Sequence, residues 1–368
     1  MRKYDIKILD DFKKKEYMSE YLGAPIKVKA VPDVKEEGEM DPRLYRDSKK
    51  MMNMLKWLPS FMLKMEINEK SLPNLRETFN GIKSVETAVA DIKREQYKVD
   101  VKGGSIDLYL YSDEKTNKNS PVLFYIHGGG FFGGSHAVVE ESLKLMVEKF
   151  HFAVTSVEYR LAPENPYPAS HEDTYAALKY VYENADKLGI CKDKIFVAGD
   201  SAGGNLAQYC STRSFEDGND IVKGQLLLYP TLNMVGVRDE YFNPSMANFK
   251  MAKSQRRALT KMTGLFGKLT DGMSFVLGTS DLHNDYLNPY TRDPKNNPPT
   301  FISAGEHDFL KQESFGYGAK LYKAGIDVTM VVYNGLGHAY FDNCGVYPQC
   351  EDLIVEMGEF INSHAKQA

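Results

Sequence analysis

The sequence predicts an α/β architecture: a mostly parallel, eight-stranded sheet flanked by helices, with a helical cap. Three observations predict it. From about Glu95 onward, short β-branched and aromatic runs alternate with stretches of helical periodicity, the mark of βαβ units. The first two runs, 97–101 and 106–111, flank Gly103-Gly104 and read as an opening antiparallel hairpin. Two stretches, 1–90 and 233–285, carry helical spacing without strands and have no place in the alternation.

The remaining strands fall at 122–126, 153–157, 195–198, 225–229, 300–304 and 328–333, each rich in Val, Ile, Leu, Phe or Tyr. Helical spacing places helices between and after them, near 138–150, 172–188, 205–214, 312–324 and 351–364. In the N-terminal stretch Leu55, Leu58, Met62 and Met65 recur at helical spacing, and Pro59 marks a break or a new start. The 233–285 stretch carries Met246, Phe249, Met251, Met262, Leu265, Phe266 and Leu269. It is long for a βα connection, and connections of that length inside a domain are usually functional. The expected organisation is a cap segment over residues 1–95 and a catalytic domain over 96–368, with a cap insertion at about 233–285. Methionines and aromatics from both cap parts would line a pocket, although packing on each other alone would also account for them. There is no internal repeat and no low-complexity linker.

Composition narrows the function. The 368 residues are 42% hydrophobic and 12% aromatic, ample for a large core, and the net charge of −4 argues against nucleic acid as a partner, since it implies no strongly basic surface. Lysine clusters such as Lys13-Lys14-Lys15 sit among acids and read as solvated helix faces. The first residues form no apolar run of signal-peptide length, and no window matches a membrane span, so a cytoplasmic protein without membrane insertion is expected. The four cysteines, Cys191, Cys210, Cys344 and Cys350, have no metal-ligand spacing. Cys344 and Cys350 are near enough in sequence to pair, but reduced thiols fit a cytosolic setting better.

The chemistry is concentrated in Gly199-Asp200-Ser201-Ala202-Gly203, which follows the apolar strand 195–198 and runs into a helix. Small residues at 199 and 203 let the chain turn sharply enough to hold Ser201 at the tip, the context of a nucleophile elbow. A serine hydroxyl is a weak nucleophile at neutral pH and needs a base, an orienting carboxylate and oxyanion donors. His127-Gly128-Gly129-Gly130-Phe131 directly follows strand 122–126, and backbone N–H groups of Gly128 and Gly129, with that of Ala202, are the expected oxyanion donors. Asp308 follows strand 300–304 and is the expected acid, with Glu306 its nearest rival. His338 follows the last strand in a glycine-flanked loop and is the expected base, the one among eight histidines with that turn-and-strand setting apart from His127 and His307. The order Ser201, Asp308, His338 is the one used by α/β-hydrolases. Phe131 and Asp200 are expected to touch substrate, and Arg160 and Glu164 to pair structurally in the 159–169 turn.

These motifs resemble the hormone-sensitive lipase family of α/β-hydrolases, the bacterial family IV esterases. The resemblance rests on His-Gly-Gly-Gly-Phe at 127–131, Gly-Asp-Ser-Ala-Gly-Gly at 199–204 and the linking segment 159–169, and it covers residue 97 to the C-terminus. After the acid the family usually reads Asp-Pro-Leu-x-Asp-Glu, whereas this chain reads Asp308-Phe309-Leu310-Lys311-Gln312-Glu313, keeping Leu310 and Glu313 in register. The resemblance implies oxyanion donors at Gly128, Gly129 and Ala202 and a helical cap.

The expected activity is serine carboxylester hydrolysis through an acyl-enzyme, with no metal and no organic cofactor. A covered pocket points to small, soluble esters from acetyl to about hexanoyl. The composition leaves room for a homodimer. An amidase or peptidase would use the same triad, and a ligand-binding receptor on a hydrolase scaffold is the non-enzymatic alternative, disfavoured by the complete Ser-Asp-His set.

Overall fold

The chain enters through helix α1 (Ile8–Lys15) and then forms a hairpin, β1 (Tyr17–Tyr21) and β2 (Ala24–Lys29), where helix was expected. The turn between them holds Leu22 and Gly23 at φ +49° and +77°, the double left-handed geometry that matches strand twist. Ala24, Ile26 and Val28 are buried while Pro25 faces solvent, a period-2 pattern too short to stand out in the sequence. The hairpin is anchored by Lys29, whose buried ammonium meets Glu16, Asp352 and Glu356 at 2.6, 3.2 and 2.6 Å. The first 95 residues are therefore not a purely helical segment; residues 17–29 bring two strands to the sheet. This computed structural model describes residues 1–59, 62–63 and 66–366, so Met65 lies outside the described residues.

Helix α2 (Pro42–Trp57) starts at Asp41, whose side chain accepts the Arg43 N–H, and ends at Leu58, just before Pro59. Helix α3 (Leu72–Asn80) follows. All eight expected strands are present: β3 (Lys93–Val101), β4 (Gly104–Ser112), β5 (Val122–Ile126), β6 (Ala153–Glu158), β7 (Ile195–Asp200), β8 (Val222–Leu228), β9 (Thr300–Gly305) and β10 (Val328–Tyr333). With the hairpin they make a ten-stranded sheet in the order β1-β2-β10-β9-β8-β7-β5-β6-β4-β3. From β2 to β6 every neighbouring pair is parallel; the antiparallel pairs are β1–β2, β4–β6 and β3–β4 at the two edges. The central strands β5, β7 and β9 are buried at every residue, as a sheet covered on both faces requires.

Helices α4 (His136–Phe150), α5 (Ala169–Glu183), α6 (Ala185–Leu188) and α7 (Ala202–Glu216) follow the middle strands. The 233–285 stretch is α-helical only from Arg256 onward, in α8 (Arg256–Gly267) and α9 (Met273–Leu277), with single 3-10 turns at Met246–Asn248 and Lys268–Gly272. Helices α10 (Lys311–Lys323) and α11 (Pro348–Ala365) complete the chain. α2 packs against α8 through a second apolar cluster containing Met52, Leu55, Leu259 and Met262, separate from the main core. The expected Arg160–Glu164 pair is absent: Arg160 bonds Asp173 at 2.7 Å, and Glu164 bonds Arg76 of α3 at 2.7 Å. Helix α3, absent from the motif-bearing region, thereby ties the N-terminal segment to the 159–169 turn.

Candidate active site

Strand β7 delivers Ser201 to a sharp turn, where φ +54° and ψ −117° place it in a sparsely populated backbone region. Its N–H donates to Leu228 O on the adjoining strand at 2.9 Å, which holds that geometry. The following helix α7 can press this close to the sheet because of Gly203, where a Cβ would stand 2.1 Å from Ile126 O.

The loops after β9 and β10 bring the other two residues to it. His338 Nε2 lies 2.9 Å from Ser201 Oγ, and His338 Nδ1 lies 2.9 and 3.1 Å from the two oxygens of Asp308. Asp308, 1% exposed, also accepts the Leu310 N–H at 2.8 Å, which fixes its carboxylate plane. Burial alone would lower the His338 pKa, but the charge and hydrogen bond of Asp308 outweigh it and hold the imidazole above its ordinary value. Phe309 and Tyr229 lie against the ring, each at 4.8 Å between centroids. The rival acid Glu306 is turned elsewhere: it is buried and accepts the Gly335 N–H at 3.0 Å. Glu313 is also buried and accepts the Leu232 and Asn233 N–H groups at 2.8 and 3.3 Å, so the glutamate retained in register secures the loop after β8.

The glycine loop corrects one sequence expectation. The Gly128 N–H donates to Asp200 Oδ1 at 2.9 Å and is not free for an oxyanion. Among the described residues, the N–H groups of Gly129, Gly130 and Ala202 have no protein acceptor. Asp200 also accepts the Tyr125 hydroxyl at 2.9 Å, and a Cβ at Gly128 would stand 2.3 Å from Asp200 Oδ2. The sequence placed Asp200 beside the nucleophile but held no sign of this partner, 72 residues away. Phe131, with φ +67°, is 1% exposed and stacks on His171 at 5.8 Å while bordering the cavity.

Ser201 and His338 open onto a cavity of about 320 Å³. Met40, Leu44 and Met51 border it from the N-terminal segment, and Met262, Phe266 and Met273 from the 233–285 stretch. A larger surface groove of about 900 Å³ lies apart, bordered by Arg76, Glu164 and Phe275, and holds none of these groups. Among the described residues no cluster of three metal-ligating side chains occurs, the four cysteines are free, and no helix is long and apolar enough to cross a membrane. A serine hydroxyl in hydrogen-bond reach of an imidazole, itself oriented by a buried carboxylate, is the arrangement that performs acyl transfer.

A sequence model of the family described as alpha/beta hydrolase fold matches residues 123–342. The chain belongs to that family. This α/β-hydrolase is 30% identical to Carboxylesterase NlhH of Mycobacterium tuberculosis over 280 residues, 74% of this chain and 83% of that one. It is similarly 30% identical to Esterase LipI of the same organism over 284 residues, 73% and 84% of the two chains. Among solved structures it resembles an esterase of Pyrobaculum calidifontis with a TM-score of 0.68 and 27% identity, covering 83% of this chain and 97% of that one. The enzyme is a carboxylic ester hydrolase of the hormone-sensitive lipase type.

Proposed function

We propose that this α/β-hydrolase cleaves small acyl esters, acetyl to about hexanoyl, through an acyl-enzyme on Ser201. The observation that carries the reading is the continuous chain Ser201 Oγ to His338 Nε2, 2.9 Å, and His338 Nδ1 to Asp308, 2.9 Å, opening onto a mostly apolar cavity of about 320 Å³. In this mechanism Ser201 attacks the ester carbonyl as His338 takes its proton, and Asp308 holds the tautomer and stabilises the imidazolium. The tetrahedral oxyanion rests on the N–H groups of Gly129, Gly130 and Ala202. His338 then protonates the departing alcohol, and water attacks the acyl-enzyme with His338 as base. Asp200, which also borders the cavity, acts on the glycine loop: it turns the Gly128 N–H inward and thereby directs its two neighbours to the cavity.

The acyl limit rests on the volume and its roof. A cavity of about 320 Å³ lies at the small end of ligand pockets. The roof is read as a two-part cap, α2 and α3 from one side and 233–285 from the other, over a catalytic body that also incorporates the β1–β2 hairpin. The test is a panel of p-nitrophenyl esters with wild type and Ser201→Ala. Hydrolysis of acetate to hexanoate esters, lost in the variant while its thermal melt stays near wild type, supports the reading. Undiminished turnover by Ser201→Ala would sink it.

A further inference from the structure

One wall of the cavity carries an acid that the mechanism does not use. Asp342 sits in a helical turn, Phe341–Asn343, four residues after His338 and packed against α4. It is 9% exposed and borders the cavity, and among the described residues no group donates a hydrogen bond to its carboxyl. Val138, Val139, Phe79 and Phe132 border the same cavity and add no hydrogen-bond donor to it. A buried acid without a hydrogen bond is costly, on the order of 1–3 kcal/mol and more when ionised. Other buried acids of this protein avoid that cost: Glu306, Glu313, Asp173 and Asp308 all accept at least one hydrogen bond. Asp342 borders the space that substrate enters.

Two charged groups set what that space accepts. Burial pushes the Asp342 and Asp200 carboxyls well above the usual range; the Asp342 charge raises Asp200 further, while Lys83 and His338 draw Asp342 part of the way back. The pair therefore retains a proton more readily than two surface acids and can both give and take a hydrogen bond. Lys83 borders the same cavity, near enough for its charge to act on Asp342. Its ammonium disfavours a cation there. A neutral hydroxyl, which both donates and accepts, meets these conditions.

We propose that Asp342 is a specificity-determining residue that hydrogen-bonds a hydroxyl of the substrate, so that the preferred substrates are hydroxyl-bearing small esters. The inference rests on the short-chain ester reading above and names its substrate class.

The test compares kcat/KM within matched pairs. On the acyl side the probes are p-nitrophenyl butyrate and p-nitrophenyl 3-hydroxybutyrate; on the alcohol side, ethyl butyrate and 2-hydroxyethyl butyrate. The cationic controls are p-nitrophenyl 3-aminobutyrate and 2-(dimethylamino)ethyl butyrate. Wild type is expected to favour the hydroxylated member of one pair by about tenfold or more, the scale of one hydrogen bond to an ionisable group. Asp342→Leu brings that ratio to about one, and Asp342→Asn, which still accepts a hydrogen bond, leaves an intermediate ratio. Should Asp342→Leu fail to fold by circular dichroism, the Asp342→Asn ratio decides, and an undiminished one overturns the proposal. Equal rates within both pairs for wild type, or a cationic ester preferred to its hydroxylated counterpart, also overturn it while leaving the ester reading intact. Hydrolysis of no member of either pair overturns both.

Discussion

The Asp200 carboxylate holds the Gly128 N–H at 2.9 Å, joining the residue before the serine to the first glycine of the loop that follows β5. Two segments that meet only in the folded chain are thereby locked in one register. Asp200→Ala leaves the Tyr125 hydroxyl and the Gly128 N–H without their acceptor, at roughly 1–3 kcal/mol each. The expected result is a lowered melting temperature and a kcat reduced at least about tenfold with KM little changed, because the oxyanion donors lose their aim. Asp200→Asn, which keeps an acceptor oxygen, loses less. A kcat equal to wild type in the alanine variant would remove Asp200 from this role.

Asp308 and Glu306 lie two residues apart in sequence yet face different partners, His338 and Gly335. Asp308→Asn is expected to lower kcat by orders of magnitude, about 10⁴-fold being the scale of this change in another triad enzyme. Glu306→Gln keeps an acceptor for Gly335 and loses little. The opposite ranking in steady-state kinetics would reassign the acid.

His338 accepts a proton only when neutral, so activity falls as pH drops through its pKa. Since Asp308 holds that pKa above the ordinary 6.5, the acid limb of the wild-type kcat/KM profile lies above pH 6.5. In Asp308→Asn the charge that raises it is gone while burial, which lowers it, remains. The limb of the residual activity then moves to lower pH. A limb that moves upward, or stays fixed, contradicts the assignment of Asp308 as partner.

Acyl length should be read out by the cap side chains. Each methylene buried adds about 0.8 kcal/mol, or roughly fourfold in kcat/KM, until the cavity is full. Activity on p-nitrophenyl esters therefore rises from acetate and falls sharply beyond about hexanoate. Met51 of α2 borders the cavity and is half-buried, so Met51→Ala lengthens the space and moves the optimum to longer chains. Palmitate cleaved by wild type as fast as butyrate would show that the cap sets no limit.

Burial raises the Asp342 carboxyl above its ordinary 3.8, so the native state binds its proton more tightly than the unfolded chain does. The sign follows: relative to a neutral side chain, Asp342 destabilises increasingly as pH climbs from about 4 through its raised native value. Asp342→Asn should differ little from wild type in melting temperature at pH 4 and gain on it by pH 8. A gap that shrinks with rising pH contradicts the assigned environment.

The sequence by itself determined the eight core strands, the helices between them and the three residues at the loop ends. Their signals are local: buried parallel strands read as continuous apolar runs, and a serine between small residues at a strand end must turn. It did not disclose the β1–β2 hairpin, because Ile26-Lys27-Val28-Lys29 alternates over too few residues to outweigh the helical spacing around it. Its strand character comes from pairing with β10 and from the carboxylates around Lys29. Nor did it decide which glycine N–H groups remain free, since that depends on Asp200 reaching across 72 residues. Arg160 and Glu164 are neighbours in sequence but found Asp173 and Arg76 instead. The unpartnered acid at Asp342 was silent for the same reason. A hydrogen bond or a charge is satisfied by whatever the fold brings within about 3 Å, and proximity of that kind is a property of packing, not of order along the chain.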